Sequence, residues 1–438
     1  MKRIFTLFTS FVLCLLLVGV SKAQITEKPE FGKFAITNAT IHTVTNGVIE
    51  NGVVLIDGKN IAYVGKNAKI TSDYQQIDGT GKHVYPGFMD SGTLLGLQEI
   101  GAVAVTNDQA EIGSYNPHIR AFTAINPSSV SIPVTRVNGV THVITTPVSG
   151  RISGKPTLID LYGYSPDSMA VRANAALHLN FPSITGGGWW DDRKPEEIKK
   201  EFEKDIKELN DFWKKAEFYN KMMTAYQEDP DNREKPDADK KMEAMREVVT
   251  GEIPVMISVD EEKNILEAIK WTKEHPEARF ILAGVEEGWR VAEEIAEAGL
   301  PCLVSTLYTP SRDYDNYQRP YQNPGKLHEA GVKVAIATGE TENVRNAPYH
   351  AGFAATYGLG KEEAIKALTI NPAEIFGVSD RLGSIEEGKQ ANLFISDGDP
   401  LEPMSTIEQV FIRGFKIPMV SRHTQLYEEY LNRDAVKN

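Results

Sequence analysis

The side chains best suited to chemistry in this sequence are carboxylates that follow short apolar runs: Asp90, Asp260, Glu261, Glu262, Glu286, Glu287, Glu340 and Glu342. Carboxyl groups with separated pKa values can act as acid and base, and clustered oxygens can hold Mg²⁺ or Ca²⁺. Several of them also stand where a helix should start, where an acid does no more than complement the helix dipole. Asp90, Glu286 and Glu340 are the candidates for catalysis. The nine histidines never fall into His-x-His, His-x-x-x-His or His-Glu-x-x-His spacing, the arrangements that put two imidazoles on one metal ion. His42, His83, His275, His328 and His423 read as structural. His118, His142, His178 and His350 are placed to approach a strand-end site, and His178 is a candidate to touch substrate. Arg345, in Asn343-Val-Arg-Asn-Ala-Pro348, follows an apolar strand and offers either an anchor for an anionic substrate or a partner for a nearby acid. Cys302, inside Pro301-Cys-Leu-Val304, reads as a small buried hydrophobe. No Gly-x-Ser-x-Gly elbow occurs. Aromatics and arginines gather in two loops, Gly186–Trp190 and the stretch holding Arg312, Tyr314, Tyr317, Arg319 and Tyr321. They suit stacking on a sugar, peptide or heterocycle, or packing over a rim or partner subunit.

These groups need a scaffold, and composition bounds it. The 438 residues are 41% apolar and 24% charged with net charge −13, the profile of a globular protein rather than a disordered or disulfide-built one. Such an acidic balance argues against nucleic acid as a partner, because phosphate counterion release needs clustered cations. Lys2 and Arg3, the apolar run Phe11–Val20 and Ser21-Lys22-Ala23 form a secretory signal pattern cut before Gln24. The run is too short to span a bilayer. Losing Lys2, Arg3 and Lys22 takes the charge from −13 to −16. The expected location is therefore periplasmic or secreted, with Cys302 as the single remaining cysteine and no internal disulfide. No second stretch reaches membrane length.

Residues 33–85 read as β, with a hairpin signal at Asp57-Gly58, and the same short-strand rhythm returns over 391–417 around Asp397-Gly398. Two such segments at opposite ends most simply share one small sheet domain. Between them, Pro254–Ser258, Phe280–Ala283, Pro301–Ser305 and Val332–Ala337 alternate with amphipathic stretches near 261–274, 286–298, 324–330 and 346–376. That alternation implies βα units and a parallel sheet, and a closed βα barrel fits the length. An open doubly wound sheet is the alternative, without the Gly-rich phosphate turn it would normally carry. A polar helical insertion starts near Pro195, capped by Asp191 or Asp192. It buries Ile198, Phe202, Ile206, Leu209, Trp213, Ala216, Tyr219 and Met223 at spacings of three and four. Asp229-Pro-Asp ends it in a solvated turn, and a second helix covers 238–249.

Tyr85-Pro-Gly-Phe-Met-Asp90 resembles the amidohydrolase superfamily, specifically its imidazolonepropionase-like branch. Leu382-Gly-Ser-Ile-Glu-Glu-Gly-Lys-Gln-Ala-Asn-Leu-Phe-Ile395 resembles that family's return to its sheet portion, with Asn392 in place of the usual Asp. Ala367–Ala373 and Gly139-Val-Thr141 resemble two further family segments. The resemblance covers roughly 33–417. It implies an α/β fold: a (β/α)8 TIM-type barrel over 86–378, with a small β-sandwich built from 24–85 and 379–420, and a tail at 421–438. It also implies metal-dependent hydrolysis of a C–N bond in a cyclic amide or dipeptide-like substrate, a bound divalent ion such as Zn²⁺ lowering the pKa of water from ~15.7 towards ~7. The ligands should stand at strand ends, and here the positions read otherwise. Gly92 and Leu94 occupy the His-x-His positions, Ser258 the fifth-strand His, Ala283 the sixth-strand His and Gly339 the eighth-strand Asp. Ser258 thereby becomes a candidate substrate contact, and no metal ligand or cofactor is expected. The expected function is a degenerate family member that binds a small molecule or pairs with an active relative or a second copy. The alternative is a hydrolase with a single metal or a carboxylate site.

Overall fold

The computed structural model describes residues 28–186, 191–309 and 316–433. The expected leader at 1–23, the Gly187–Trp190 loop tip, Arg312 and Tyr314 lie outside the described residues. The N-terminal segment supplies β1 (Glu30–Phe31), β2 (Lys33–His42), β3 (Val48–Asp57), β4 (Asn60–Gly65), β5 (Gln75–Asp78) and β6 (His83–Pro86). The middle supplies β7 (Phe88–Thr93), β8 (Val140–Thr145), β9 (Ile152–Gly154), β10 (Thr157–Asp160), β11 (Ala170–Arg172) and β12 (Leu177–Asn180). It continues with β13 (Val255–Val259), β14 (Phe280–Gly284), β15 (Cys302–Val304) and β16 (Val334–Ile336). The chain returns as β17 (Leu393–Ser396), β18 (Ile407–Ile412) and β19 (Phe415–Ile417).

The two ends of the chain do share one sheet. Its order is β1-β19-β18-β17-β6-β2-β3-β4, with β5 beside β2, and β17 pairs antiparallel with β6 across more than 300 residues of sequence. Phe34, Ile36, Ile56, Leu393 and Phe411 form its apolar core. The Asp57 hairpin forms as expected. Asp397-Gly398 instead opens a longer connection, and the tight turn of the return segment is Arg413-Gly414, with φ of +49° and +74°. A Cβ at Gly414 would lie 1.7 Å from the Gly58 carbonyl oxygen, so only glycine lets these two turns meet.

The middle strands pair as two arcs among the described residues: β11-β10-β8-β7 and β16-β15-β14-β13-β12-β9. β12 to β16 run parallel, as the βα rhythm implies. The stretch 152–172 departs from it, since β10 pairs antiparallel with β8 and β11, and β9 antiparallel with β12. The arcs approach one another at β7 and β16, where Gly339 N donates to Gly92 O and Leu94 N to Glu340 O, both at 2.9 Å. Strand alternation sorts the apolar residues into two cores. Met89, Ile144, Met256, Ile281, Leu303 and Ala335 fill one side of the arcs. Val255, Ile257, Val259, Leu282 and Val304 face the helices on the other. Cys302 is fully buried among the latter, as expected, and burial pushes its thiol pKa up.

The polar insertion is one helix, Pro195–Glu228, burying Phe202, Leu209, Trp213, Ala216, Tyr219 and Met223. Ile198 and Ile206 are only half-buried. Its N-cap is Lys194, not Asp191 or Asp192; Glu197 accepts from the Lys194 N–H at 3.1 Å, while Asp191 holds Arg193. The second helix, Lys240–Val249, is capped by Asp239. His275 packs against Trp213 and Trp271 rather than facing solvent. The residues assigned to a tail include a further helix, Arg422–Leu431.

Candidate functional site

At the C-terminal ends of the parallel strands the inward positions carry small side chains. Register places Ser258 of β13 beside Ala283 of β14 and Asn180 of β12. Ser91 follows Met89 and Asp90 on β7, Ser305 follows β15 and Ala337 follows β16. Ser91 is fully buried, and its hydroxyl meets no hydrogen-bond partner among the described residues. A Cβ added at Gly92 would point at Ala337, 3.3 Å away. The β14 end is strained: Gly284 has φ +89° and Val285 φ +43°, a left-handed conformation that a β-branched residue adopts at a cost of about 1–3 kcal/mol. Val285 is pinned there by its N–H to Val259 O and its carbonyl to Asn323 Nδ2. A Cβ at Gly284 would lie 2.0 Å from Asp260 Oδ1, so Gly284 makes room for that carboxylate over the strand end.

Asp90 is buried at the seam between the arcs. Its Oδ1 accepts from Thr338 N at 3.0 Å and Gly92 N at 3.1 Å, and its Oδ2 from the Thr338 hydroxyl at 2.6 Å. Burial raises its pKa to about 7, with Glu340 pushing the same way and the three hydrogen bonds opposing. Thr338 in turn accepts from Glu340 N at 3.3 Å. Asp90 thus ties β7 to the chain after β16. Glu340 is half-buried and 3.3 Å from Asn343 Nδ2.

His178 and Ser258 come together. His178 Nε2 lies 2.8 Å from Ser258 Oγ, and its Nδ1 lies 3.0 Å from both Pro147 O and Ser153 Oγ. Burial lowers the imidazole pKa to about 4, so the ring is neutral at physiological pH. Ser153 also accepts from Ser149 N and Asn180 Nδ2. His142, expected near the strand ends, lies instead at the junction with the terminal sheet. Its Nε2 is 2.9 Å from Asp160 Oδ1 and 2.9 Å from Asn392 Nδ2. His118 is exposed and lines a cleft of about 680 Å³ beside Arg120 and Arg246. His350 is fully buried behind β15, its Nδ1 accepting from Thr306 N at 3.2 Å.

The remaining candidates have other partners. Glu287 accepts from Glu262 N at 2.9 Å, capping the helix Glu262–Lys273, so this pair does the dipole work of helix-start acids. Glu286 is half-buried beyond the strained Val285 turn. Arg345 donates to its own turn at Glu342 O, 2.6 Å away. Tyr321 packs on Phe353 and Tyr357, and the Arg319 guanidinium sits 4.4 Å from the Trp289 ring. Thr338, Ser153 and Pro147 were not singled out from sequence; threonine, serine and a proline carbonyl carry no signature there. A surface cavity of about 590 Å³ opens at the other ends of the strands, by Pro254, Phe280, Pro301 and Lys333, away from all of these groups. Among the described residues no three His, Cys, Asp or Glu side chains gather closely enough to hold a metal ion.

Residues 157–416, more than half of the sequence, match the profile of the Amidohydrolase family. The chain belongs to the amidohydrolase family. An amidohydrolase from Thermotoga maritima MSB8 superposes on it with TM-score 0.76 at 26% identity, covering 88% of this chain and 99% of that one. Phenylurea hydrolase B shares the fold at TM-score 0.55 and 16% identity, covering 89% and 97%. Imidazolonepropionase of Syntrophobacter fumaroxidans is 34% identical over 108 residues, 24% of each chain. The similarity to this curated relative is therefore distant and spans about a quarter of its length. No helix among the described residues is long and apolar enough to cross a membrane.

Proposed function

We propose that this amidohydrolase-family chain is an exported (β/α)8-barrel protein whose mouth binds a small carbonyl compound without the paired-metal hydrolysis associated with the fold. In this reading the two arcs form one barrel over 86–378, and 24–85 with 379–420 form its β-sandwich. The observation that carries it is the donor set at the strand ends. Gly92, Leu94, Ser258, Ala283 and Gly339 offer hydrogen, hydrocarbon or a neutral hydroxyl where transition metals take imidazole, thiolate or carboxylate. Among the carboxylates beside these positions, Asp90 has both oxygens committed to Thr338 and Gly92. These residues do not fit a divalent transition metal. The small strand-end side chains favour a ligand entering from the mouth; a second copy or an active relative as partner is the wider form of the same reading.

Elemental mass spectrometry on chelator-free protein, produced with Zn, Mn, Fe, Mg and Ca supplied, tests it. The expected result is no stoichiometric transition metal. One such ion per chain overturns it and favours the second reading, a hydrolase using one metal or the carboxylates Asp90, Glu286 and Glu340. That second reading draws on the near-neutral pKa of Asp90, about 7, which suits an acid or base.

A further inference from the structure

The hydrogen bonds of His178 fix its tautomer. The Pro147 carbonyl oxygen can only accept, so Nδ1, 3.0 Å away, carries the ring proton. Nε2 then presents its lone pair, and the Ser258 hydroxyl, 2.8 Å away, must donate to it. The ring has little freedom to turn: Ser153 Oγ contacts Nδ1 at 3.0 Å and is itself held by Ser149 N at 3.1 Å and Asn180 Nδ2 at 3.2 Å. Ser258 is half-buried at the end of β13, while His178 is only 4% exposed. Beside the hydroxyl, the register partner Ala283 extends no further than a methyl group. A hydroxyl donating to an imidazole whose other nitrogen is anchored is the arrangement that activates a serine nucleophile.

We infer that Ser258 and His178 form a nucleophile–base pair for metal-free acyl transfer from a small ester or amide. The inference rests on the reading that the mouth is free of a metal pair. In the first step Ser258 Oγ bonds to the substrate carbonyl carbon as its proton passes to His178 Nε2. The tetrahedral adduct then collapses, the bond from carbon to the leaving oxygen or nitrogen breaks, and that atom takes the proton from Nε2. Water, giving a proton to Nε2, attacks the acyl carbon on Ser258. Cleavage of the Oγ–C bond returns the proton to Oγ and releases the acid. Only substrate and water are consumed. Asn180, Ser153 and Pro147 are positioning residues that hold the imidazole.

The test exposes the full chain to an alkyl fluorophosphonate, which forms an Oγ–phosphorus bond with loss of fluoride, and maps the adduct by peptide mass spectrometry. p-Nitrophenyl acetate hydrolysis is followed in parallel. One adduct on Ser258 is expected, absent in Ser258→Ala. In His178→Gln both the labelling and the ester hydrolysis should slow by about 100-fold or more, the usual contribution of a positioned base. Ser258→Ala leaves the buried His178 Nε2 without its donor and should lower the melting transition modestly while unfolding stays cooperative, which separates loss of chemistry from loss of fold. An unlabelled Ser258 in the unaltered chain, under conditions that label a known serine hydrolase to completion, overturns the inference whatever the variants do. Labelling elsewhere with Ser258 unmodified overturns it equally. Metal content is measured on the same sample: stoichiometric metal removes the reading beneath it, whereas a metal-free, unlabelled chain removes the dyad alone.

Discussion

The two ends of the middle strands solve the same problem in opposite ways. Both bury polar side chains. At the junction with the terminal sheet, Asp160 lies 2.9 Å from His142 Nε2 and 2.9 Å from Arg413 Nε. Arg413 also donates to Tyr162 O at 2.7 Å, and its backbone N–H donates to Asn392 Oδ1. The Arg413 guanidinium meets the Asp160 carboxylate there, and the cluster stitches β8, β10, the β17 segment and the β18–β19 turn together. At the C-terminal strand ends the buried groups carry less charge: His178 is neutral with its low pKa, Asp90 is about half-ionised near pH 7 with its raised one, and the Ser91 hydroxyl has no hydrogen-bond partner among the described residues. A junction filled by compensated charge is a structural cross-link. The opposite strand ends carry small side chains and fewer buried ion pairs among the described residues, the contrast on which the proposed binding role rests.

The largest expected effect breaks the junction. Asp160→Ala leaves His142 and Arg413 without their carboxylate and should cost about 3–5 kcal/mol, as removal of one partner from a buried pair does. Urea unfolding measures it, and a loss as small as that of an exposed pair would erase the contrast between the two ends. Next comes the mouth carboxylate. The folded Asp90 pKa of about 7 lies above the ordinary 3.8, so between those values the folded chain keeps a proton that the unfolded chain has lost. Stability should therefore fall as pH rises through about 4 to 7 and stay lowered above it, by at most about 4 kcal/mol from this group. Asp90→Asn should lack that fall and overtake the parent protein above pH 7; parallel unfolding curves at pH 5 and 8.5 would refute the assignment. The smallest effect sharpens the comparison. Ser91→Ala removes a buried hydroxyl with no partner among the described residues and should leave stability unchanged or raise it by about 1 kcal/mol. A clear loss in thermal unfolding would mean that Ser91 is satisfied in the folded protein. Cys302 gives a control: a thiol reagent should modify it only after unfolding, because it is buried among strands.

Much of the scaffold was legible before any fold was known. Alternation and an Asp-Gly turn marked the terminal strands, because these signals act over a few residues. Spacings of three and four marked the long helix and six of its buried residues. The cap of that helix was misplaced because Asp191 is drawn to Arg193 instead. The antiparallel pairing of β10 was missed because pairing direction depends on distant strands rather than on local pattern. Of the candidate site, Ser258 and His178 were each picked out, but not as a pair.

Sequence alone therefore determined the βα rhythm, the shared terminal sheet, the burial of Cys302 and the family resemblance. All of these rest on local propensity or on contiguous motifs. Tertiary structure decided which polar groups meet. His178 reaches Ser258 across 80 residues and Asp90 reaches Thr338 across 248, while His142 is drawn to the junction rather than the mouth. Such encounters are set by strand register and by how the arcs approach, where a one-residue shift reverses every side chain.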